Sequence, residues 1–214
     1  MKLYQHLLVG RSILDNNEIP GIEYTRFSRL AYLIGNIAPD LNCIYPAHRL
    51  KTTENRFYRK IKLIDRCNIS CIKAFELGIL THYLCDYFCY AHTIESIGVT
   101  HKKYETNLYN IYNAHLDERQ EQLDDLKNVW KSSKENTIGS VAKDNVIDMD
   151  NHCDFIITQL KQLSDYYKLN MHEVNKGWAF DYEQMQMDLT YAKFMVENIL
   201  GLIVDPCKCL MVTQ

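Results

Sequence analysis

Residues 81–92 read THYLCDYFCYAH, which places His82, Asp86 and His92 inside a run that is otherwise apolar and aromatic. Extended back to residue 69, the run is apolar on nearly every turn, the pattern of a helix surrounded by other helices rather than lying on a surface. It predicts a buried central helix over 69–91. His82 and Asp86 stand four residues apart and project from one face. An unpartnered carboxylate there would be strongly disfavoured by desolvation, and a divalent metal ion would satisfy both groups at once. His92 lies ten residues beyond His82, roughly 80° around an ideal helix, at the helix end and in a position to serve a neighbouring ion.

Working outward, only eight glycines and four prolines punctuate the chain, and no long stretch alternates apolar and polar residues. The expected fold class is all-α: a multi-helix bundle with a metal cluster at the end of a buried central helix. Helices are expected near residues 2–14, 24–36, 53–66, 69–91, 100–130, 148–167 and 182–204. A chain of 214 residues fits a single domain over 1–214. Its metal ligands would lie in 1–130, an exposed connection in 131–150 and packing helices in 151–214. In IGNIAPDLNCIYPAHRL, Pro39 and Pro46 are expected to stop helix and make a loop that carries Asp40 and His48.

Composition narrows the function classes. With 47% hydrophobic and 24% charged residues and a formal net charge of −3, the chain lacks the basic footprint of a nucleic-acid partner. The N-terminal MKLYQHLLVGRSILD has no long apolar core of a secretory signal, and Glu76, His82 and Asp86 interrupt the most apolar segment, so a cytoplasmic location without a transmembrane segment is expected. Of eight cysteines, Cys67 and Cys71, and Cys85 and Cys89, are four apart and would stack on helix faces as small buried hydrophobes. Cys207 and Cys209 form a lone C-x-C, a weak metal clip. Glu76 is expected to form a salt bridge or to support the ligands, and His115, His152 and His172 to be exposed or capped.

A second histidine–carboxylate pair, His101 and Glu105 in HKKYE, repeats the i, i+4 spacing that lets imidazole and carboxylate bind one ion from a helix face. His82, Asp86, His92, His101 and Glu105 fall within 24 residues. With Asp40 and His48 immediately upstream, the chain holds enough nitrogen and oxygen ligands for two or three ions. No glycine-rich phosphate loop or nucleophile elbow competes with this reading.

At these residues the sequence resembles the zinc-dependent phospholipase C family, whose pattern is an N-terminal His, a Pro-Asp element followed by His, then H-x3-D-x5-H and H-x3-E. Here the pattern is met by His6, by Pro39 and Asp40, by His48, by HYLCDYFCYAH and by HKKYE. The resemblance covers about the first half of the chain. It implies two or three Zn2+ ions: Asp40, His48, His82 and Asp86 on one, His92, His101 and Glu105 on a second, with Asp86 bridging toward a third near His6. It further implies that Asp40 is the general base that handles the attacking water. Leu41 follows Asp40 where choline-lipid-cleaving members carry tyrosine, a departure at a position tied to choline recognition.

The implied activity is zinc-dependent hydrolysis of a phosphodiester, with zinc polarising the phosphoryl oxygens and bringing the pKa of bound water to roughly neutral. The substrate would be phospholipid-like, with room for peripheral membrane contact; the sequence does not set the oligomeric state. One alternative is a non-catalytic zinc-binding or metal-sensing helical protein. A second is a nuclease-type phosphodiesterase, since single-strand-specific nucleases share the fold.

Overall fold

The computed structural model describes residues 3–15, 25–41, 50–93, 103–108, 124–133, 149–171 and 182–204. Its helices are α1 (Leu3–Asp15), α2 (Arg26–Leu41), α3 (Leu50–Arg66), α4 (Ser70–Tyr87), α5 (Tyr90–Thr93), α6 (103–108), α7 (124–133), α8 (Met149–Asn170) and α9 (Tyr182–Val204). No strand occurs among the described residues, and the all-α expectation holds.

Helix α4 is the axis of the bundle. Every residue from Leu77 to Cys89 is buried, and α1, α2, α3 and α9 pack around it. Such a helix carries no polar stripe because it has no solvent side. The surrounding helices are one-sided by contrast: α3 buries Thr53, Phe57, Ile61 and Ile64 at helical spacing and leaves the positions between them to charge. Burying a side chain such as Phe57 contributes about 1.5–3 kcal/mol. Lys60 of α3 pairs with Glu76 of α4, and Thr53 and Tyr87 share a hydroxyl–hydroxyl bond of 2.5 Å.

The contact between α2 and α4 is backbone against backbone. A Cβ on Gly35 would collide with the carbonyl of Phe75, and one on Gly78 with the carbonyl of Tyr32 and the amide of Asn36. Glycine at both positions is what lets the two helices touch. Tyr32 and Thr81 tie the same crossing with a 2.7 Å hydroxyl bond; because Thr81 donates to the Leu77 carbonyl, Tyr32 is the donor.

Three sequence expectations are corrected here. Helix α2 continues through Pro39 to Leu41, so Asp40 lies in the last helical turn and not in a loop. Proline lacks the N–H that would bond to the Gly35 carbonyl, but one bond lost near a helix end is offset by burial of Tyr32, Gly35, Asn36 and Pro39. The expected single helix over 69–91 is broken: Phe88 adopts φ −107°, ψ 32°, and helix resumes at Tyr90. Residues 131–133, placed by the sequence in an exposed connection, continue α7, and Ser133 is buried and donates to Gln159 at 2.7 Å. Residues 134–148 lie outside the described residues.

On the far side, α8 packs on α3 and α9, and Trp130 of α7 meets Phe194 of α9 edge-on at 6.1 Å. Among the described residues no helix is long and apolar enough to cross a membrane.

Candidate metal centre

Five helices bring imidazoles and carboxylates to the C-terminal end of α4. His82 and Asp86 come from α4 itself, His6 from α1, Asp40 from the last turn of α2, His92 from α5 and Glu105 from α6. Asp86 is the hub. Its Oδ1 lies 3.4 Å from Nε2 of His6 and 3.4 Å from Nε2 of His92, while its Oδ2 lies 3.2 Å from Nε2 of His82. Asp40 reaches Nε2 of His82 at 3.6 Å and Nε2 of His6 at 4.0 Å. Glu105 lies 3.4 Å from His92 Nε2.

These spacings fit a shared ion. Two ligands about 2.0–2.1 Å from a tetrahedral zinc stand roughly 3.3 Å apart, longer than the roughly 2.7–2.9 Å of a charge-assisted hydrogen bond. His6 makes the stronger case. It is fully buried, yet neither ring nitrogen has a hydrogen-bond partner, a costly condition for a neutral imidazole and its N–H. Ligand atoms of His6, Asp40 and His82 all lie within 4.8 Å of one another, an arrangement that could hold a metal ion. The structure thus groups His6 with Asp40 and His82, where the resemblance sets it apart on a third ion. Asp86 stands between that group and the pair formed by His92 and Glu105.

The lone pair of His82 is aimed by its other nitrogen. Nδ1 lies 2.9 Å from the carbonyl oxygen of Asn36; a carbonyl only accepts, so Nδ1 carries the hydrogen and Nε2 faces the carboxylates. Such a bond fixes the tautomer and orientation of a metal-binding imidazole. The Asn36 carbonyl is within reach only because Gly35 and Gly78 let α2 close on α4. Its side-chain amide donates to the His6 carbonyl, in space that a Cβ on Gly10 would occupy. The sequence reading assigned Asn36 no role, since its work is done through backbone.

Charge follows burial. Loss of solvent and the neighbouring His82 hold His6 well below the usual imidazole range, so it is neutral and has a lone pair to offer. Desolvation alone would raise Asp86, but its charged surroundings, His92 foremost, outweigh it and hold its carboxyl well below the usual range. The rings of His6 and His82 stack with centroids 3.8 Å apart. Exposure grades outward: His6, His82 and Asp86 side chains are fully buried, His92 and Glu105 are 14% exposed and Asp40 is 25% exposed. The centre opens to solvent at Asp40.

Of the eight residues singled out from sequence, six meet here; His48 and His101 lie outside the described residues, as do His115, His172, Cys207 and Cys209. Glu76 forms the expected salt bridge, with Lys60. His152 is buried and capped, its Nε2 3.1 Å from the Leu202 carbonyl. Cys85 and Cys89 are buried, and desolvation pushes both thiols up, so they pack as neutral side chains. Cys67 falls between α3 and α4, off the helix face that its spacing with Cys71 suggested.

Around the centre lies a support the sequence reading missed. Gln5 donates to the Glu105 carbonyl at 3.0 Å, fastening α6 to α1. On α9, Asp188 is fully buried and accepts from four donors; burial pushes its carboxyl up to about 6, with those donors holding it back. A lone aspartate in the apolar run QMDLTYAKFMV was the available signal, by the logic that singled out Asp86.

Fold and site together define a class: a helical bundle whose histidines and carboxylates converge, at the end of a buried central helix, on a centre suited to a divalent metal. The zinc-dependent phospholipase C family matches residues 5–145, and the chain belongs to that family. His6 through Glu105, all eight candidate ligands, fall inside the matched span. The chain matches no curated protein and no solved structure.

Proposed function

We propose that this protein is a zinc-dependent phosphodiester hydrolase that acts on phospholipid-like substrates. The carrying observation is the buried Asp86 carboxylate set 3.2–3.4 Å from three imidazole Nε2 atoms, with Asp40 at the solvent edge. His6, Asp40, His82, Asp86, His92 and Glu105 would be ligands, and His48 and His101 complete the set by their match to the family pattern. When bound, zinc polarises the phosphoryl oxygens and makes water a better nucleophile near neutral pH.

The residues divide the remaining work. His6, held neutral by burial, offers a lone pair, and His82 is aimed at the centre by its bond to the Asn36 carbonyl. Asp86 supplies negative charge that balances the centre. Asp40, the solvent-facing carboxylate, takes the proton from the attacking water at a carboxylate oxygen. The water oxygen bonds to phosphorus, the bond from phosphorus to the diacylglycerol oxygen breaks, and the proton passes on to that leaving alkoxide. A carboxylate suits this task because it is ionised at neutral pH and can both accept and return a proton. A purely structural zinc site would be closed, whereas an open, carboxylate-rich set marks a catalytic one.

The test is release of diacylglycerol from mixed phospholipid vesicles by zinc-loaded protein, abolished by a chelator and restored by zinc. Zinc-loaded protein that releases no diacylglycerol from vesicles of any headgroup would overturn the reading and favour a non-catalytic metal site.

A further inference from the structure

We propose that Asp188 is a positioning residue that sets the spacing between His92 and Glu105. The proposal rests on the reading of those two residues as metal ligands. His92 sits on α5, a single helical turn, and a helix that short cannot hold its own geometry in water. Glu105 sits on α6, which reaches the centre from a different part of the chain. Something must fix the two segments relative to each other for their side chains to stand 3.4 Å apart.

One carboxylate oxygen does so. Asp188 Oδ2 accepts the backbone N–H of Tyr90, two residues before His92, at 2.9 Å. The same oxygen accepts the hydroxyl of Tyr104, the residue before Glu105, at 2.9 Å. Both segments are therefore referenced to a single atom. The other oxygen is occupied from α8 and α9: Oδ1 accepts Tyr167 at 2.6 Å and Gln184 at 2.7 Å, which hold the carboxylate plane against the bundle. The rings of Tyr90 and Tyr104 also pack together, centroids 5.5 Å apart. The break after α4 is part of this device. Had α4 continued, the Tyr90 N–H would bond within its own helix; the break frees it for Asp188 and turns His92 toward Asp86.

A carboxylate that merely stabilised the core would treat its two oxygens alike, and a carboxylate that positions ligands would not. The test compares Tyr104→Phe, which removes a donor on the Oδ2 side, with Tyr167→Phe, which removes one on the Oδ1 side, in the full-length protein. Each is stripped of metal and titrated with zinc against a chromogenic chelator near neutral pH; thermal melts of the metal-free forms report the loss of each hydroxyl. Tyr104→Phe is expected to weaken zinc binding by about 10–100-fold, the usual effect of removing a group that orients a ligand. It should also shift the visible spectrum of the cobalt-substituted protein. Tyr167→Phe is expected to keep the wild-type affinity and spectrum despite a comparable loss of thermal stability. Wild-type affinity and spectrum in Tyr104→Phe, or equal weakening in both variants, would overturn the positioning role while zinc binding by the wild type keeps the metal reading intact. Wild-type protein that binds no zinc would overturn both.

Discussion

The carbonyl of Asn36 lies 2.9 Å from Nδ1 of His82, and that one bond decides which nitrogen of the imidazole faces the carboxylates. It exists because two glycines let α2 and α4 meet backbone to backbone. Helix packing and ligand chemistry are therefore one problem in this protein.

Gly78→Ala tests that link. The added methyl would meet the Tyr32 carbonyl and the Asn36 amide, neither of which is a flexible side-chain end, so the helices must separate. Overpacking of this kind costs typically 1–3 kcal/mol. The expected outcome is a lower melting temperature together with weaker zinc binding; a variant that melts earlier but binds zinc like the wild type would show that the Asn36 carbonyl is not needed to aim His82.

Asp40→Asn separates binding from proton transfer. The amide keeps an oxygen for zinc but is no base. Hydrolysis of a phosphodiester substrate is expected to fall by about 10²–10⁴-fold while much of the zinc stays bound, checked by initial rates and metal content on the same sample. Unchanged turnover would remove Asp40 from the mechanism.

Asp86→Ala removes the hub. His6, His82 and His92 would lose the carboxylate they share, and the expected result is loss of zinc and a lower melting temperature of the protein as purified. Retention of the full zinc complement would mean that Asp86 only balances charge.

These residues were unequally legible in the sequence. The largely apolar run through α4 announced a central helix, and the i, i+4 pairs within and after it announced ligands, because side-chain periodicity is a local property. Pro39 misled: a proline near a helix end removes only one hydrogen bond, and burial against α4 decided the outcome. The break at Phe88 carries no glycine or proline to mark it, and the Tyr90 N–H beyond it bonds to Asp188, 98 residues away. Asn36 escaped for a related reason, since a backbone carbonyl has no sequence signature.

Asp188 also gives a pH dependence. Burial raises its carboxyl to about 6 in the folded protein, against about 3.9 when unfolded. Between those values the folded state holds a proton that the unfolded state has lost. The contribution is therefore full below about pH 4 and is lost as pH rises through 6, on the order of 3 kcal/mol in total. The unfolding free energy of the wild type minus that of Asp188→Asn, measured in urea across this range, should fall as pH rises; a flat or rising difference would contradict it.

The most direct test of the account is the zinc content of untagged protein purified without chelator, measured by elemental mass spectrometry. About two to three zinc ions per chain are expected, the number that eight imidazole and carboxylate ligands can hold at three to four each with Asp86 shared. Protein that carries no zinc and takes none up on titration would contradict the central claim, and the buried His6, His82 and Asp86 would then need another partner.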